Sequence, residues 1–139
     1  MVASQSPGRV ALVRLNLSDI GVLAGQDVRG HEVRDIDNAT VGRVDDLVVE
    51  VNSGRVRFLV IGEGGILGIG RSHHLVPVDV VESVANEWVF LSTTAARISG
   101  IPDTGSIEDQ RYLAEILEYL GCKPFWSAGY TDPDWTTPA

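Results

Sequence analysis

Apolar and polar residues alternate through the middle of the chain and recur at helical spacing near its end. In Val41 to Val51 the apolar positions are Val44, Leu47, Val49 and Val51, and the last three alternate as a half-buried strand should. The step from Val44 to Leu47 breaks the two-residue period and predicts a β-bulge near Asp45-Asp46. Asn52-Ser53-Gly54 supplies a tight turn. Arg55 to Ile61 then reads as a second strand, with Val56, Phe58 and Val60 on one face and Arg55, Arg57, Leu59 and Ile61 on the other. The two strands predict a hairpin, and its solvated face is the expected place of Arg55 and Arg57.

Around this hairpin the signals are shorter. Gln26 to Arg34 reads as a strand followed by a turn, marked by Gly30 and the polar cluster Asp35, Asp37 and Asn38. Ala11 to Leu15 fits a short strand or one helical turn. A glycine-rich loop, Gly62 to Gly70, leads to Leu75-Val76-Pro77, where Pro77 belongs at a strand end or edge because it has no amide hydrogen. Val78 to Val81 predicts a helical turn and Trp88 to Leu91 a strand. Thr93-Thr94 and Pro102 bracket a further brief turn of helix or loop.

The last third changes character. Leu113, Ile116, Leu117 and Leu120 recur at helical spacing, and Tyr112 and Tyr119 widen the stripe. Ser106 with Asp109 three residues on resembles a capping box, and Gly121 is a natural stop. The spacing predicts an amphipathic helix over Ile107 to Leu120. Beyond it lie Phe125, Trp126, Tyr130 and Trp135. The chain has three Trp, three Tyr and three Phe, and six of these nine fall after residue 111. The pattern as a whole predicts a mainly β domain over 26–101, a lead segment over 1–25, and a C-terminal helix with an extended aromatic tail over 102–139.

Composition narrows the function classes. The 139 residues carry a formal net charge of -8, with 44% hydrophobic residues for a core. An acidic surface repels phosphate backbones, and no basic stripe interleaved with aromatics offsets it, so direct nucleic-acid binding is disfavoured. No run approaches the ~20 apolar residues of a membrane span. Met1 to Gly8 lacks the apolar stretch of a secretory signal. The single Cys122 leaves no internal disulfide framework, which fits a reducing cytoplasm.

Candidate chemistry is weak at every motif. Counted from Asp35, a calcium loop would need an oxygen ligand at the fifth position, Gly at the sixth and Glu at the twelfth, where the chain has Ala39, Thr40 and Asp46. A polar turn accounts for the cluster better. The glycine loop matches neither the dinucleotide fingerprint nor the P-loop. Its Ile66, Leu67 and Ile69 fit either insertion into the core or contact with a partner. His73 and His74 are adjacent, so on a strand they point to opposite faces and do not converge on a metal; with His31 they read as surface or edge histidines. Cys122 beside Lys123 reads as a structural residue after the helix rather than a reactive thiol. No catalytic group, cofactor site or metal site emerges.

The order of these pieces resembles the PRC-barrel family. Val28-Arg29-Gly30 through Val41-Gly42-Arg43-Val44-Asp45-Asp46-Leu47 is similar to its opening hairpin. Arg55-Val56-Arg57-Phe58-Leu59-Val60-Ile61 is similar to its central strand. Gly64-Gly65-Ile66-Leu67-Gly68-Ile69-Gly70 through Leu75-Val76-Pro77 is similar to its glycine loop and following strand. The resemblance covers about residues 26–92 and implies a small six-stranded β-barrel. It also implies binding without a shared set of catalytic residues. Its members include the cytoplasmic domain of the photosynthetic reaction centre H subunit and the C-terminal domain of a ribosome maturation factor. This chain lacks the membrane helix of the first and an additional RNA-processing domain like that of the second.

The expected function is therefore that of a cytoplasmic adaptor or assembly module. Its partner would be a protein: a membrane respiratory or photosynthetic electron-transfer complex met from the cytoplasmic side, or a second copy of the chain. Ile66, Leu67, Ile69, Phe125, Trp126, Tyr130 and Trp135 are the candidate contacts, because aromatic and apolar anchors dominate interfaces. The tail fits packing on its own domain equally well. A ribosome-assembly factor and a small-ligand or metal-binding domain are the alternatives from other classes.

Overall fold

The longest strand, β3 (Thr40–Glu50), organises the molecule. The computed structural model describes residues 11–15, 21–63, 72–103 and 105–136. One edge of β3 pairs antiparallel with β4 (Val56–Glu63). Its other edge is shared: β2 (Glu32–Arg34) lies along the first half, and β1 (Leu12–Leu15) along the second, from Leu47 to Glu50. β5 (Ser72–Pro77) extends the sheet beyond β4. On the far side β7 (Trp88–Leu91) runs parallel to β2 and antiparallel to β6 (Val81–Ala85). The order along the main path is β5-β4-β3-β2-β7-β6, with β1 as a seventh strand off it. The sheet curls into a half-barrel, and the 3-10 turn Val78–Val80 carries the chain from β5 at one end of the path to β6 at the other.

Two irregularities interrupt the β3–β4 pairing. The β3–β4 register steps from Val44↔Ile61 to Asp46↔Val60, which leaves Asp45 as the extra residue of a bulge where the broken period predicted one. It then steps from Val48↔Phe58 to Val49↔Val56, which leaves Arg57 as the extra residue on β4. Gly42 permits close contact at the other end of this pair: a Cβ there would lie 2.1 Å from the Gly62 carbonyl oxygen. No side chain fits that gap.

Both faces of β4 are covered, since every residue from Val56 to Gly62 is buried. The C-terminal third supplies much of that cover. Helix α1 (Ala95–Ser99) is capped by Thr94, whose side chain accepts from the Arg97 amide. Helix α2 (Gln110–Tyr119) is capped by Asp109, which accepts from the Arg111 amide at 3.0 Å. It ends in a Schellman turn: the Cys122 amide donates to Leu117 O and the Gly121 amide to Glu118 O, with Gly121 at φ +74°. Ile98, Leu113, Ile116, Leu117, Phe125 and Trp135 join the sheet residues Val33, Leu47, Phe58, Leu59, Ile61 and Val89 in one buried cluster. The clamp between the helices is polar: Tyr119 donates from its hydroxyl to Arg97 O, and the Arg97 guanidinium donates to Tyr119 O.

The structure amends several expectations. The strand expected from Gln26 begins only at Glu32, because Val28 to His31 is spent on a turn in which the His31 amide donates back to Val28 O. Ala11 to Leu15 resolves as strand, and it joins the sheet. Helix α2 starts at Gln110 rather than Ile107. Ser106 Oγ accepts from the Glu108 amide and makes a preceding turn, so the helix cap falls to Asp109. Arg57 is not on a solvated face: the bulge removes it from the two-residue alternation and its side chain is buried. Ile66, Leu67 and Ile69 lie outside the described residues.

Candidate interaction surface

The aromatic tail after α2 is fastened to the barrel by side chains. Phe125 meets Phe58 edge-on, with ring centroids 6.1 Å apart, and Trp126 meets Phe125 edge-on at 4.9 Å. Arg57 lies over the Phe125 ring at 4.8 Å and faces Tyr130 at 5.8 Å. Its guanidinium donates to Glu50 at 2.7 Å and to Asp132 at 2.6 Å. Arg55 reaches the same Asp132 at 3.4 Å. The tail's own backbone hydrogen bonds are local, from the Ser127 amide to Pro124 O and from the Tyr130 amide to Ser127 O. Ionic and aromatic contacts therefore hold the tail where strand pairing does not.

The electrostatics of this cluster follow from burial. Burial opposes the charge on Arg57, but hydrogen bonds to Asp132 and Glu50 outweigh it and leave the pKa raised. Asp79, on the turn between β5 and β6, accepts a hydrogen bond from the Tyr130 hydroxyl at 2.7 Å. Burial raises the Asp79 carboxyl pKa, and that hydrogen bond offsets only part of the rise. Burial likewise raises Tyr130, with the Asp79 hydrogen bond adding to it. The Cys122 thiol is pushed up to about 11 by burial first and by the Asp79 charge second. A thiol so shifted is almost wholly protonated at neutral pH, which disfavours nucleophilic reactivity.

The candidate residues separate into two kinds. Phe125 and Trp135 are buried in the chain's own core. Trp126 and Tyr130 pack against that core yet remain partly exposed. Sequence reasoning missed Arg57, Glu50, Asp79 and Asp132 as one cluster. Glu50 and Arg57 face each other across one hairpin, but Asp79 and Asp132 come from distant parts of the chain, and the bulge at Arg57 that turns its side chain toward them leaves no mark in the sequence.

The other candidate motifs also resolve. Asp35 caps its own turn: Oδ1 accepts from the Asp37 and Ala39 amides, and Oδ2 from the Ala95 amide at the start of α1. Those bonds, the Ala95 one first, hold its carboxyl below the usual range. His73 pairs with Asp45 at 3.0 Å and stays exposed. His74 pairs with Glu63 at 2.9 Å and is buried, so of the surface or edge placement expected it takes the edge one, on β5 at one end of the sheet path. Among the described residues no cluster of three His, Cys, Asp or Glu side chains is placed to hold a metal. No helix of the described residues is long and apolar enough to cross a membrane.

A curled sheet of short strands, closed by a helix and a side-chain-anchored tail, defines a small β-barrel whose described grooves open at its surface. A family model of the PRC-barrel domain matches residues 20–97, more than half of the chain, and the chain belongs to that family. The PRC-barrel domain is a general protein-interaction module, and its members are generally non-catalytic. No curated protein matches the chain.

Proposed function

We propose that this protein is a non-catalytic docking subunit whose tail presents Trp126 and Tyr130 to a protein partner. The observation that carries the reading is the way these rings are held. Both are partly exposed, and both sit on a segment pinned by the Arg57–Asp132 and Tyr130–Asp79 contacts. Aromatic groups fixed before binding lose little conformational entropy on contact, which is what an interface anchor needs. Ile66, Leu67 and Ile69 supply the second contact element of the proposal. The partner proposed is a membrane electron-transfer complex approached from the cytoplasmic side, which suits an acidic domain that binds through a protein and not through anionic lipid.

The test is recovery of partners by the tagged full chain from detergent-solubilised cells, in parallel with Trp126→Ala. A respiratory or photosynthetic complex recovered by the wild type and reduced about tenfold by the variant supports the proposal. Recovery of ribosomal particles, or equal recovery by both chains, overturns it. An unchanged circular dichroism spectrum of the variant shows that any loss is one of contact.

A further inference from the structure

The turn after β2 holds an apolar side chain out in solvent. Ile36 is 55% exposed, among the most exposed large hydrophobic residues described. Its frame is rigid. Asp35, immediately before it, is buried and spends both carboxylate oxygens on the amides of Asp37, Ala39 and Ala95. The Ile36 amide itself donates to Thr93 O at 3.0 Å, and the Asp35 amide to Ala39 O at 2.9 Å. The turn is thus tied to itself and to the start of α1. An apolar group fixed in this way costs little entropy when it is covered.

Ile36 flanks a groove of about 360 Å³ that Phe90 of β7 and Ser83 of β6 also line. Phe90 is partly exposed and stacks on Trp88, with centroids 6.5 Å apart. The rim is acidic. Glu82 lines the groove and Asp37 follows Ile36 on the turn; both are exposed, and neither has an ion-pair partner among the described residues. The nearest cation along the chain, Arg34, lies beside the groove and is held there, with one nitrogen donating to the backbone oxygen of the lining residue Asn38 and the guanidinium over the Trp88 ring at 4.7 Å; the exposed Glu82 and Asp37 still leave the surroundings with more acid than base.

We infer that this groove docks an extended segment of a protein partner in which an apolar side chain is flanked by lysine or arginine. The apolar wall takes the side chain, and Glu82 and Asp37 take the cations. Charge decides against a second copy as occupant. A two-fold contact places the same patch on both sides, which here sets one acidic rim against another. The groove uses no tail residue, so it stands or falls separately from the proposal for Trp126 and Tyr130.

The experiment is a titration of the ¹⁵N-labelled full chain with a hexapeptide of central leucine and phenylalanine between paired lysines, at low salt. A peptide with glutamates in place of the lysines is the control. Saturable shifts are expected at Ile36, Asp37, Glu82, Ser83 and Phe90, with no response to the control. Ile36→Ser should weaken binding about tenfold through lost apolar burial. Glu82→Gln should weaken it about threefold and reduce its salt dependence. Both side chains are exposed, so an otherwise unchanged spectrum confirms folding. The inference is overturned by shifts that fail to saturate, by shifts elsewhere, or by an equal response to the control. It is equally overturned by undiminished binding to Ile36→Ser, or by concentration-dependent shifts at these residues without peptide, which assign the groove to a second copy.

Discussion

Replacing Arg57 by Met tests whether the tail is held by charge. Met keeps most of the apolar stem and removes the guanidinium, so the packing against Phe125 is largely preserved while both ion pairs are lost. Removing one partner of a fully buried pair costs about 3–5 kcal/mol, because the remaining charge is left desolvated. Here the arginine side chain is 10% exposed, but Glu50 is 21% and Asp132 39% exposed, so both acids recover part of their hydration. Arg55 also remains near Asp132. The expected loss is therefore about 2–3 kcal/mol, or ~6–12 °C in Tm for a domain of this size.

Urea unfolding followed by far-ultraviolet circular dichroism measures that loss directly. Asp132→Asn provides the second corner of a double-mutant cycle, with an expected single cost of about 1 kcal/mol and a coupling to Arg57 of about 1 kcal/mol. If Arg57→Met unfolds within 0.5 kcal/mol of the wild type, the guanidinium contributes nothing net and the account of the tail given above is wrong. A large loss with no coupling to Asp132 would also refute it, since the effect would then come from Glu50 alone.

Four further outcomes are expected. Gly42→Ala forces a methyl against the Gly62 carbonyl and should cost more than about 2 kcal/mol in the same urea assay; a neutral result would mean that β3 and β4 separate freely there. Trp135→Ala should cost about 3–5 kcal/mol as a buried aromatic, against less than about 2 kcal/mol for the partly exposed Trp126→Ala, and equal costs would contradict the burial difference. The Asp79 carboxyl is raised above its ordinary value of 3.8 in the fold, so its contribution to stability is fully present below 3.8 and is lost as pH rises through the folded pKa; Asp79→Asn should flatten the stability profile in that window, and parallel profiles would remove the cause assigned to the shift. The Cys122 thiol, with a pKa of about 11, should react with a disulfide reagent at pH 8 on the order of a hundredfold more slowly than an ordinary exposed cysteine.

Much of the barrel was legible because its signals are local. The broken period between Val44 and Leu47 marked the Asp45 bulge, the glycine after Leu120 marked the end of α2, and Pro77 marked the end of β5. Arg57 was misread for a reason of the same kind turned around. Its bulge leaves no mark in the run Val56-Arg57-Phe58-Leu59, where an arginine between apolar residues looks like the outward position of an edge hairpin. Only the register with β3 and the docking of Asp132, 75 residues away in the chain, reverse that reading. The tail is the same problem at longer range. Phe125, Trp126, Tyr130 and Trp135 are alike in sequence, and nothing in their spacing says that two are buried and two partly exposed. Ile36 escaped notice because a single apolar residue in a polar turn is ordinary; the three amides bonded to Asp35 make it a fixed feature.

The distribution of charge links these observations to binding. The chain has 11 Lys and Arg against 19 Asp and Glu, and most of the described arginines are paired with groups of the same chain. Arg14 pairs with Asp46, Arg43 with Glu32, and Arg55 and Arg57 with the tail. Arg34 and Arg97 lie over Trp88 and Tyr119. The acids in excess are left to the surface; Glu82 lines the groove beside Ile36, and Asp37 follows Ile36 on the turn. A domain that spends its cations on its own tail and rings offers its partners apolar groups set among carboxylates. If the groove at Ile36 docks a partner as proposed, that surface would select basic, apolar-bearing protein segments.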